Sequence, residues 1–249
     1  MRALVVSDIH GNLQALQAVL AAAGQVDAVW NLGDMVGYGA NPNEVIDTLR
    51  PIAALNVRGN HDRVCCGLTS SYGFNPVAAE AAAWTARHLT PENLMWLREV
   101  PQGPLNATER VLCAHGSPLH EDHYIISMRD AWTPLQRMAG EITFFGHTHV
   151  QGAFSQDAPE WQEVRPVYSS KNQAESFSFD VPPGTRHLIN PGSVGQPRDG
   201  DWRAGFAIYD SEAERVTFFR IPYDVAAAQA AIRAAKLPER LATRLATGR

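Results

Sequence analysis

The chain has 249 residues, of which 45% are hydrophobic and 19% are charged, a composition typical of a globular protein with a substantial core. Its formal net charge of −5 argues against a general nucleic-acid-binding surface, which would normally carry a basic excess. No apolar run is long enough to cross a bilayer, and Asp8 and His10 interrupt any N-terminal signal-peptide core. With an odd number of cysteines, these features predict a cytoplasmic chain with reduced thiols.

The first sixty residues predict alternating strands and helices. Short β-branched apolar runs at "RALVVS", "DAVWNL" and "PIAALNV" are typical of buried strands. Between them, Asn12 can cap a helix that ends near Ala23, and Pro42 suits the first turn of a helix over "NEVIDTLR". This βαβαβ order favours a mostly parallel sheet with helices packed against it.

The rest of the chain predicts a helical segment followed by a strand-rich half. "NPVAAEAAAWTARHL" and "TPENLMWLREV" each begin with a capping residue followed by proline, which indicates two helices. Strands are expected at "RVLCAHG", "EITFFGH", "VQGAFS", "EVRPVY", "SFSFDV", "RHLINPG", "AGFAIYD" and "RVTFFRI". We expect one α/β domain over residues 1–249, with a helical insertion at about 64–110 and a C-terminal helical tail at about 224–247 that breaks near Pro238.

Five polar segments lie where predicted strands end. They are "SDIHGN", "LGDMVGYG", "RGNHDR", "CAHGSP" and "FGHTHVQG". Loops at the carboxyl ends of parallel strands converge at one edge of the sheet, where α/β proteins bind ligands. Asp8 and His10 lie two residues apart, as do His147 and His149, so in an extended chain the side chains of each pair project to the same side.

Together these segments offer seven nitrogen and oxygen ligands and no thiolate. The candidates are Asp8, His10, Asp34, Asn60, His115, His147 and His149. Such a set suits Mn, Fe, Zn, Ni or Mg, with Mn preferred, more than a structural zinc site. Seven ligands exceed what one ion takes from a protein while keeping an open position. Two divalent ions that share a carboxylate therefore fit the set better.

The five segments, in this order, resemble the calcineurin-like metallophosphoesterase family. The family pattern is Asp-x-His, Gly-Asp, Gly-Asn-His-Asp/Glu, a His-Gly segment and Gly-His-x-His, and all five blocks occur between residues 8 and 149. "INPGSVGQPRDGD", at 189–201, also resembles the prokaryotic phosphodiesterase branch. Each block alone is weak, but the ordered set is specific. The resemblance implies a four-layer αββα sandwich of two mixed sheets flanked by helices, with the site at one edge.

The resemblance also implies a role for each matching residue. One ion would be held by Asp8, His10 and His149, the other by Asn60, His115 and His147, with Asp34 bridging the two. His61 would act as the general acid for the leaving oxygen. The implied function is a phosphodiesterase that hydrolyses a small-molecule phosphodiester by metal-activated hydroxide.

Two other functions fit the same residues. One is a phosphomonoesterase or nucleotide pyrophosphatase with the same centre, and the other is a non-catalytic protein-interaction scaffold with the same fold. The complete ligand set and His61 weigh against the scaffold, which needs neither. Membrane and nucleic-acid partners are not expected, whereas homo-oligomer formation through the small-residue tail is left open.

The chain departs from the protein serine/threonine phosphatases of this family after the Gly-Asp block. Those relatives carry Asp-Arg where this chain has Gly37 and Tyr38, so the carboxylate that pairs with the catalytic histidine is missing. As candidate substrate contacts, Tyr38 either stacks on a base or packs within its loop. Arg198 either binds a phosphate oxygen or pairs with Asp199 or Asp201.

Structural roles are expected for several other charged residues. Arg58 and Arg63 are expected to face solvent, and Asp62 to orient a neighbouring group. His88 and His187 are expected on a helix surface and at a strand edge, respectively.

Overall fold

The computed structural model describes residues 1–157 and 160–249, and in that part of the chain it contains two six-stranded sheets and eight helices. The strands are β1 (Arg2–Val6), β2 (Ala28–Asn31), β3 (Leu55–Asn56), β4 (Leu105–Asn106), β5 (Val111–Cys113), β6 (Ile142–Phe144), β7 (Gly152–Asp157), β8 (Glu160–Val164), β9 (Glu175–Asp180), β10 (Arg186–Asn190), β11 (Ala204–Asp210) and β12 (Arg215–Ile221). The helices are α1 (Leu13–Ala23), α2 (Pro42–Leu49), α3 (Asn60–Cys65), α4 (Pro76–His88), α5 (Pro91–Glu99), α6 (Met128–Arg137), α7 (Val225–Ala234) and α8 (Glu239–Leu245).

Both sheets are mixed. The first has the order β3-β2-β1-β11-β12-β9, in which β1, β2 and β3 are parallel and the other pairings are antiparallel. The second has the order β4-β5-β6-β10-β7-β8, with β5, β6 and β10 parallel and the outer strands antiparallel. The parallel pairing predicted for the first sixty residues is therefore correct for that segment, and later strands extend its sheet in the opposite direction.

The sheets pack face to face between two helical layers. Successive side chains of a strand point to opposite faces. In β1, Ala3 and Val5 accordingly enter the core between the sheets, whereas Leu4 and Val6 enter the core beneath the first helical layer. α6 packs on the outer face of the second sheet through Leu135. The predicted αββα sandwich is confirmed.

The helix starts follow the capping residues in the sequence. The side chains of Asn12, Asn75 and Thr90 each accept a hydrogen bond from the backbone N–H three residues later. In the C-terminal segment, α7 ends before Pro238 and α8 begins directly after it, as predicted. The organisation as one domain with an insertion at about 64–110 stays a prediction.

Two predicted strands are shorter than expected. In "PIAALNV" the strand is limited to Leu55–Asn56, with further bonds to β2 from the N–H groups of Ala54 and Val57. The N–H groups of Ile52 and Ala53 bond back to Leu49 O and form a turn after α2. In "EVRPVY" the strand ends at Val164, two residues before a proline that has no N–H for the ladder. Apolar composition alone did not separate these segments from strands.

Two helices were not predicted, and one histidine was misplaced. α3 begins directly at the polar "GNHD" segment, and α6 is capped by Ser127 and Asp130, whose side chains and backbone N–H groups bond reciprocally. His187 does not lie at a strand edge: β10 lies between β6 and β7, and the residue is only 4% exposed. None of the helices in the described ranges combines the length and the apolarity needed to cross a bilayer.

Candidate metal centre

The seven candidate ligands come together at one edge of the two sheets. Asp8 and His10 follow β1, Asp34 follows β2, and Asn60 begins α3 after β3. The second sheet supplies the other three, His115 after β5 and His147 and His149 after β6. Backbone hydrogen bonds join these loops: Asp8 N–H donates to Gly33 O at 3.0 Å, and Gly146 N–H donates to His115 O at 2.7 Å. The convergence expected of strand ends therefore occurs across both sheets.

The ligand atoms form two groups that share one carboxylate. Asp8, His10, Asp34 and His149 make the first group, and Asp34, His115 and His147 the second, with the ligand atoms of each group within 4.8 Å of one another. Asn60 adds to the second group, since its Oδ1 lies 3.0 Å from His115 Nε2. All six aspartate and histidine side chains are buried. We refer to the seven residues together as the metal cluster.

The backbone of the metal cluster is strained. Five of the seven residues have a positive φ: Asp8 (53°), His10 (51°), Asp34 (54°), His147 (67°) and His149 (60°). Residues other than glycine rarely adopt this left-handed conformation, which costs about 1–2 kcal/mol per residue. Such strain concentrates at functional sites, where the surrounding structure holds side chains in one direction. At Gly59, a side chain would overlap Asp34 Oδ1, so the close approach of the two loops requires glycine there.

Three histidines are oriented by backbone carbonyl groups. His10 Nδ1 lies 3.1 Å from Val36 O, His115 Nδ1 2.9 Å from Leu32 O, and His149 Nδ1 2.5 Å from Gln196 O. A carbonyl oxygen only accepts hydrogen bonds, so each Nδ1 carries a proton. In a neutral ring, Nε2 then presents its lone pair to the centre of the cluster, which is the arrangement that metal-binding histidines use.

Two of these lone pairs face each other. His10 Nε2 and His149 Nε2 are 3.2 Å apart, and burial lowers the pKa of both rings well below the usual value, so both are neutral. Neither nitrogen can donate to the other. Asp8 Oδ1 and His147 Nε2 are also buried with no hydrogen-bond partner among the described residues. Buried acceptors without donors are rare in folded proteins, and cations bound by the two groups would satisfy all four atoms. The residues present therefore fit a metal.

The two carboxylates turn one oxygen toward the backbone and the other toward the cluster. Asp8 Oδ2 accepts from His147 N–H at 3.0 Å, and Asp34 Oδ1 accepts from His61 N–H at 2.8 Å. The other oxygen of Asp34, Oδ2, lies 3.6 Å from His10 Nε2 and 3.4 Å from His115 Nε2, between the two groups. Asp34 is therefore common to both groups.

The cluster favours positive charge. Burial, reinforced by Asp34 and opposed by His115, raises the pKa of Asp8 to about 6. Burial lowers the pKa of His115, but the facing Asp34 carboxylate outweighs it and holds that pKa at about 10. A proton on His115 and a divalent cation would each place positive charge beside Asp34. Two buried carboxylates in this position are thus suited to bind cations.

His61 and Tyr38 lie against the cluster. The His61 ring centroid is 4.9 Å from that of His10, 4.4 Å from Tyr38 and 4.5 Å from Phe74. Burial lowers the pKa of His61 to about 4, although Asp34 raises it, and Nδ1 has no partner among the described residues. Tyr38 is 6% exposed, with its ring also 4.7 Å from His10. Its ring packs against these histidines and also lines the cavity above the cluster, so its substrate contact stays a prediction.

A cavity of about 660 Å³ opens over the metal cluster. Its floor includes Asp34, Asn60, His61, His147 and His149, and its walls include Tyr38, Phe74, Tyr124, Arg198, Arg240 and Arg244. Arg198 does not pair with either predicted aspartate, because Asp199 pairs with Arg220 and Asp201 with Arg203. Its guanidinium donates to Gln196 Oε1 at 3.2 Å and otherwise faces the cavity. Its contact with a phosphate oxygen stays a prediction.

Comparison with known proteins identifies the family. A family model described as "Calcineurin-like phosphoesterase superfamily domain" matches residues 1–214. The chain belongs to this family. Family membership implies a metal-dependent phosphoester hydrolase, in agreement with the clustered aspartate and histidine ligands.

Relatives resemble this phosphoesterase over almost their full length. The uncharacterized protein MJ0912 of Methanocaldococcus jannaschii is 34% identical over 250 residues, covering 98% of this chain and 97% of its own. A crystal structure of a metallophosphoesterase from Sphaerobacter thermophilus superposes with a TM-score of 0.87 at 42% identity, covering all of both chains. The hypothetical protein PH1004 from Pyrococcus horikoshii OT3 shares the fold, with a TM-score of 0.76 at 19% identity, over 100% of this chain and 98% of its own.

This phosphoesterase has no carboxylate at the position that pairs with the histidine in protein phosphatases. Gly37 has φ of 86°, and a Cβ built there would lie 2.6 Å from His61 Nδ1. A side chain at residue 37 would therefore point at the imidazole nitrogen that has no partner. At this distance a side chain would overlap the imidazole, so the close approach of the loop to His61 requires glycine at residue 37.

Asp62 holds two site loops together. Its Oδ2 accepts from Asp34 N–H at 2.8 Å and Gly59 N–H at 2.9 Å, and its Oδ1 accepts from Val36 N–H at 3.2 Å. Burial and the nearby Asp34 charge raise the pKa of Asp62 to about 7, against the effect of these hydrogen bonds. Asp62 therefore orients backbone N–H groups of the two loops and not a neighbouring side chain.

The prediction that Arg58 and Arg63 face solvent is wrong. Arg63 pairs with Glu121 at 2.6 Å and with Asp122 at 2.7 Å, and its side chain is 15% exposed. Arg58 lies 3.9 Å from Glu121, with 18% exposed. The loop after His115 folds over the start of α3 and covers both arginines, a contact between distant segments that local sequence does not reveal. Arg240 and Arg244 were also missed as cavity residues, since they lie in the tail.

Proposed function

We propose that this protein is a binuclear metal-dependent phosphodiesterase. One observation carries the proposal: the two neutral histidines His10 and His149 face each other with acceptor nitrogens, beside a carboxylate, Asp34, that two ligand groups share. A single ion would satisfy one group. Two ions sharing Asp34 would satisfy both.

The proposed ligands divide as the resemblance implies. Asp8, His10 and His149 hold one ion, Asn60, His115 and His147 hold the other, and Asp34 bridges them. The donors are nitrogen and oxygen only, which favours Mn, with Fe, Zn, Ni and Mg as alternatives. When bound, two such cations would lower the pKa of water and offset the charge of a phosphoryl group.

The chain's own residues orient the substrate above this centre. Arg198 presents its guanidinium to the cavity and would hold a non-bridging phosphate oxygen. Tyr38 would contact the substrate with the edge of its packed ring. His61 would donate a hydrogen bond or a proton to the leaving oxygen. Since Nδ1 of His61 has no acceptor to fix the tautomer, either ring nitrogen can carry the proton.

A diester is favoured over a monoester by the space around the cluster. The cavity of about 660 Å³ has one wall at the start of α4 and another at α8, so it has room for a substituent on each side of a phosphate. A phosphomonoester has only one such substituent, whereas a nucleotide pyrophosphate has two. The buried catalytic candidate His61 and the strained ligand backbone argue against a scaffold, which would have no use for either.

The test compares a diester with a monoester. The protein is stripped of metal by chelation, loaded with manganese, and assayed with bis-p-nitrophenyl phosphate and p-nitrophenyl phosphate, with bound metal measured in parallel. We expect about two metal ions per chain and faster turnover of the diester. Faster monoester turnover would replace the proposal with the phosphomonoesterase. A chain that binds no metal and turns over neither ester would be a scaffold.

His61→Ala tests the role of the imidazole. We expect metal content to be retained and turnover to fall by about 10²–10⁴-fold, the usual contribution of general acid catalysis. The loss should be larger for a phenyl than for a p-nitrophenyl diester, because the phenyl leaving group is more basic. An equal loss on both esters would remove the proton-donor role.

The partners and location belong to the same proposal. Cys65, Cys66 and Cys113 are buried and free, which agrees with a reducing compartment, and we propose a cytoplasmic enzyme that acts on a small-molecule phosphoester. Homo-oligomer formation stays a prediction.

A further inference from the structure

Two arginines of the cavity have no role in the proposed reaction. Arg240 and Arg244 come from α8, in the C-terminal segment, and line the cavity that opens over the metal cluster. None of the sequence blocks that define the cluster includes them. Both lie far along the chain from the ligands, so their presence at the site depends on how α8 packs.

The packing of α8 directs both arginines to the cavity. Residues four apart lie on the same face of a helix, and Arg240 and Arg244 have this spacing. Leu241 and Leu245, also four apart, are 1% and 4% exposed and belong to the core beneath the first helical layer. The leucines fix the rotation of α8 about its axis. The arginines on the neighbouring face are thereby held at the cavity wall.

Neither arginine of α8 makes an ion pair with an aspartate or glutamate side chain among the described residues. None of the ion pairs of residues 1–157 and 160–249 includes Arg240 or Arg244, although Arg233 in the adjoining helix pairs with Glu239 at 2.8 Å. Arg244 Nε donates to a terminal oxygen of Arg249, and the residue also lines the cavity. Asp34 is the sole carboxylate among the described residues that line the cavity, and it belongs to the metal cluster.

The arginines also repel one another. Burial, with the charges of Arg198 and Arg240, lowers the pKa of Arg244 to about 10. In a chain of net charge −5, three arginines thus line one cavity, and none of them pairs with an aspartate or glutamate among the described residues. An anion at this wall would relieve the repulsion and accept several charge-assisted hydrogen bonds.

We propose that Arg240 and Arg244 form a second anion site, and that the natural substrate is a small phosphodiester that carries a further phosphate group. This proposal rests on the proposed function, which places the first phosphate at the metal cluster and against Arg198. The second phosphate would then lie on the α8 side of the cavity. Two arginines suffice for one phosphate group and not for a polymer backbone, which agrees with the acidic net charge of the chain.

The test compares two ligands that differ by one phosphate. The probes are adenosine monophosphate, phosphorylated on the five-prime hydroxyl, and adenosine bisphosphate, with a second phosphate on the three-prime hydroxyl. Each is titrated by calorimetry into the manganese-loaded protein and used as an inhibitor of bis-p-nitrophenyl phosphate turnover. We expect the wild-type protein to bind the bisphosphate at least about tenfold more tightly than the monophosphate. This is the gain in affinity that one hydrogen bond between charged groups contributes.

The readout in variants is the ratio of the two affinities. In Arg240→Gln, Arg244→Gln and the double variant, we expect the ratio to fall toward one, since glutamine removes the charge but keeps a good helix former. The matched control is Arg137→Gln, an exposed arginine of α6 outside the cavity, which should keep the wild-type ratio. Thermal unfolding of each variant confirms that it is folded.

Failure of this inference can be told apart from failure of the proposed function. A wild-type ratio near one, or a wild-type ratio retained by the double variant, would overturn the second anion site even if diester turnover is observed. An arginine-dependent ratio in calorimetry, without turnover of any phosphoester, would support the site and overturn the phosphodiesterase.

Discussion

Two buried polar regions lie side by side in this protein, and they are satisfied in opposite ways. One is the metal cluster. The other, which we call the arginine network, consists of the buried residues Gln151, Asp201, Arg203 and Arg220 together with the more exposed Asp199. In the network each charge meets an opposite one. Arg220 pairs with Asp199 and donates to Gln151 Oε1 at 3.2 Å, and Arg203 bonds Asp201 at 2.6 Å.

The metal cluster has no such balance. Its side chains are nearly all acceptors, and the tautomers fixed by backbone carbonyls turn acceptor nitrogens toward each other. The network joins both sheets, since Gln151 Nε2 donates to Pro191 O at 2.9 Å and to Phe206 O at 3.2 Å. A polar region that satisfies itself supports the fold. A region that does not satisfy itself is prepared for a ligand.

The largest effect on stability should come from opening the arginine network. Arg220→Met removes a buried guanidinium that donates to Asp199, to Gln151 Oε1 and to Arg203 O, and we expect the free energy of unfolding to fall by about 3 kcal/mol. The matched control is Arg215→Met in the same strand, whose 2.8 Å pair with Asp180 is exposed and should contribute less than about 1 kcal/mol. Urea unfolding of the metal-free variants measures both. Equal losses of stability in Arg220→Met and Arg215→Met would show that the arginine network contributes no more than an exposed ion pair.

Breaking the metal cluster should affect metal binding and turnover. Asp34→Asn removes the shared carboxylate, and we expect diester turnover to fall by at least about 100-fold. Mutation of a residue that only hydrogen-bonds to a metal ligand already lowers activity by up to about this factor. Manganese at about 100 times its Kd should stabilise the wild-type protein by about 2.7 kcal/mol, seen as a higher Tm, but not the variant. Asp180→Asn, at an exposed carboxylate, is the control. A wild-type Tm shift in Asp34→Asn would contradict the bridging role.

A smaller effect should come from a buried histidine outside both regions. His187 bonds Ser155 Oγ at 2.8 Å and Thr185 Oγ1 at 2.5 Å, so both ring nitrogens are occupied. Burial lowers its pKa from 6.5 to about 4. Between these two pH values the unfolded chain therefore binds more protons at His187 than the folded chain does. The free energy of unfolding that neutral His187 contributes above pH 6.5 is lost as the pH falls toward 4.

We expect this residue to account for about 2 kcal/mol of the stability lost between about pH 7 and about pH 5. The check is urea unfolding at both pH values for the wild type and His187→Gln, which should show a shallower pH dependence. His88→Gln, at an exposed histidine, should keep the wild-type dependence. An unchanged slope in His187→Gln would show that His187 is not the titrating group.

Local sequence was a good guide where the chemistry is local. The capping residues Asn12, Asn75 and Thr90 begin helices as predicted, because a cap involves only the next three residues. The αββα arrangement followed from the family resemblance. By contrast, "PIAALNV" begins as a turn and only its second half bonds to β2, because apolar composition does not show where a strand begins.

The sequence by itself determined which atoms are offered to a metal, because each ligand motif lies in one short loop after one strand. Tertiary structure alone decided what surrounds these atoms. The surroundings are the carbonyls that fix the histidine tautomers, the three backbone N–H groups that donate to Asp62, and the two arginines of α8. These contacts join segments far apart in the chain. Their geometry depends on how sheets and helices pack, and no local pattern of residues encodes it.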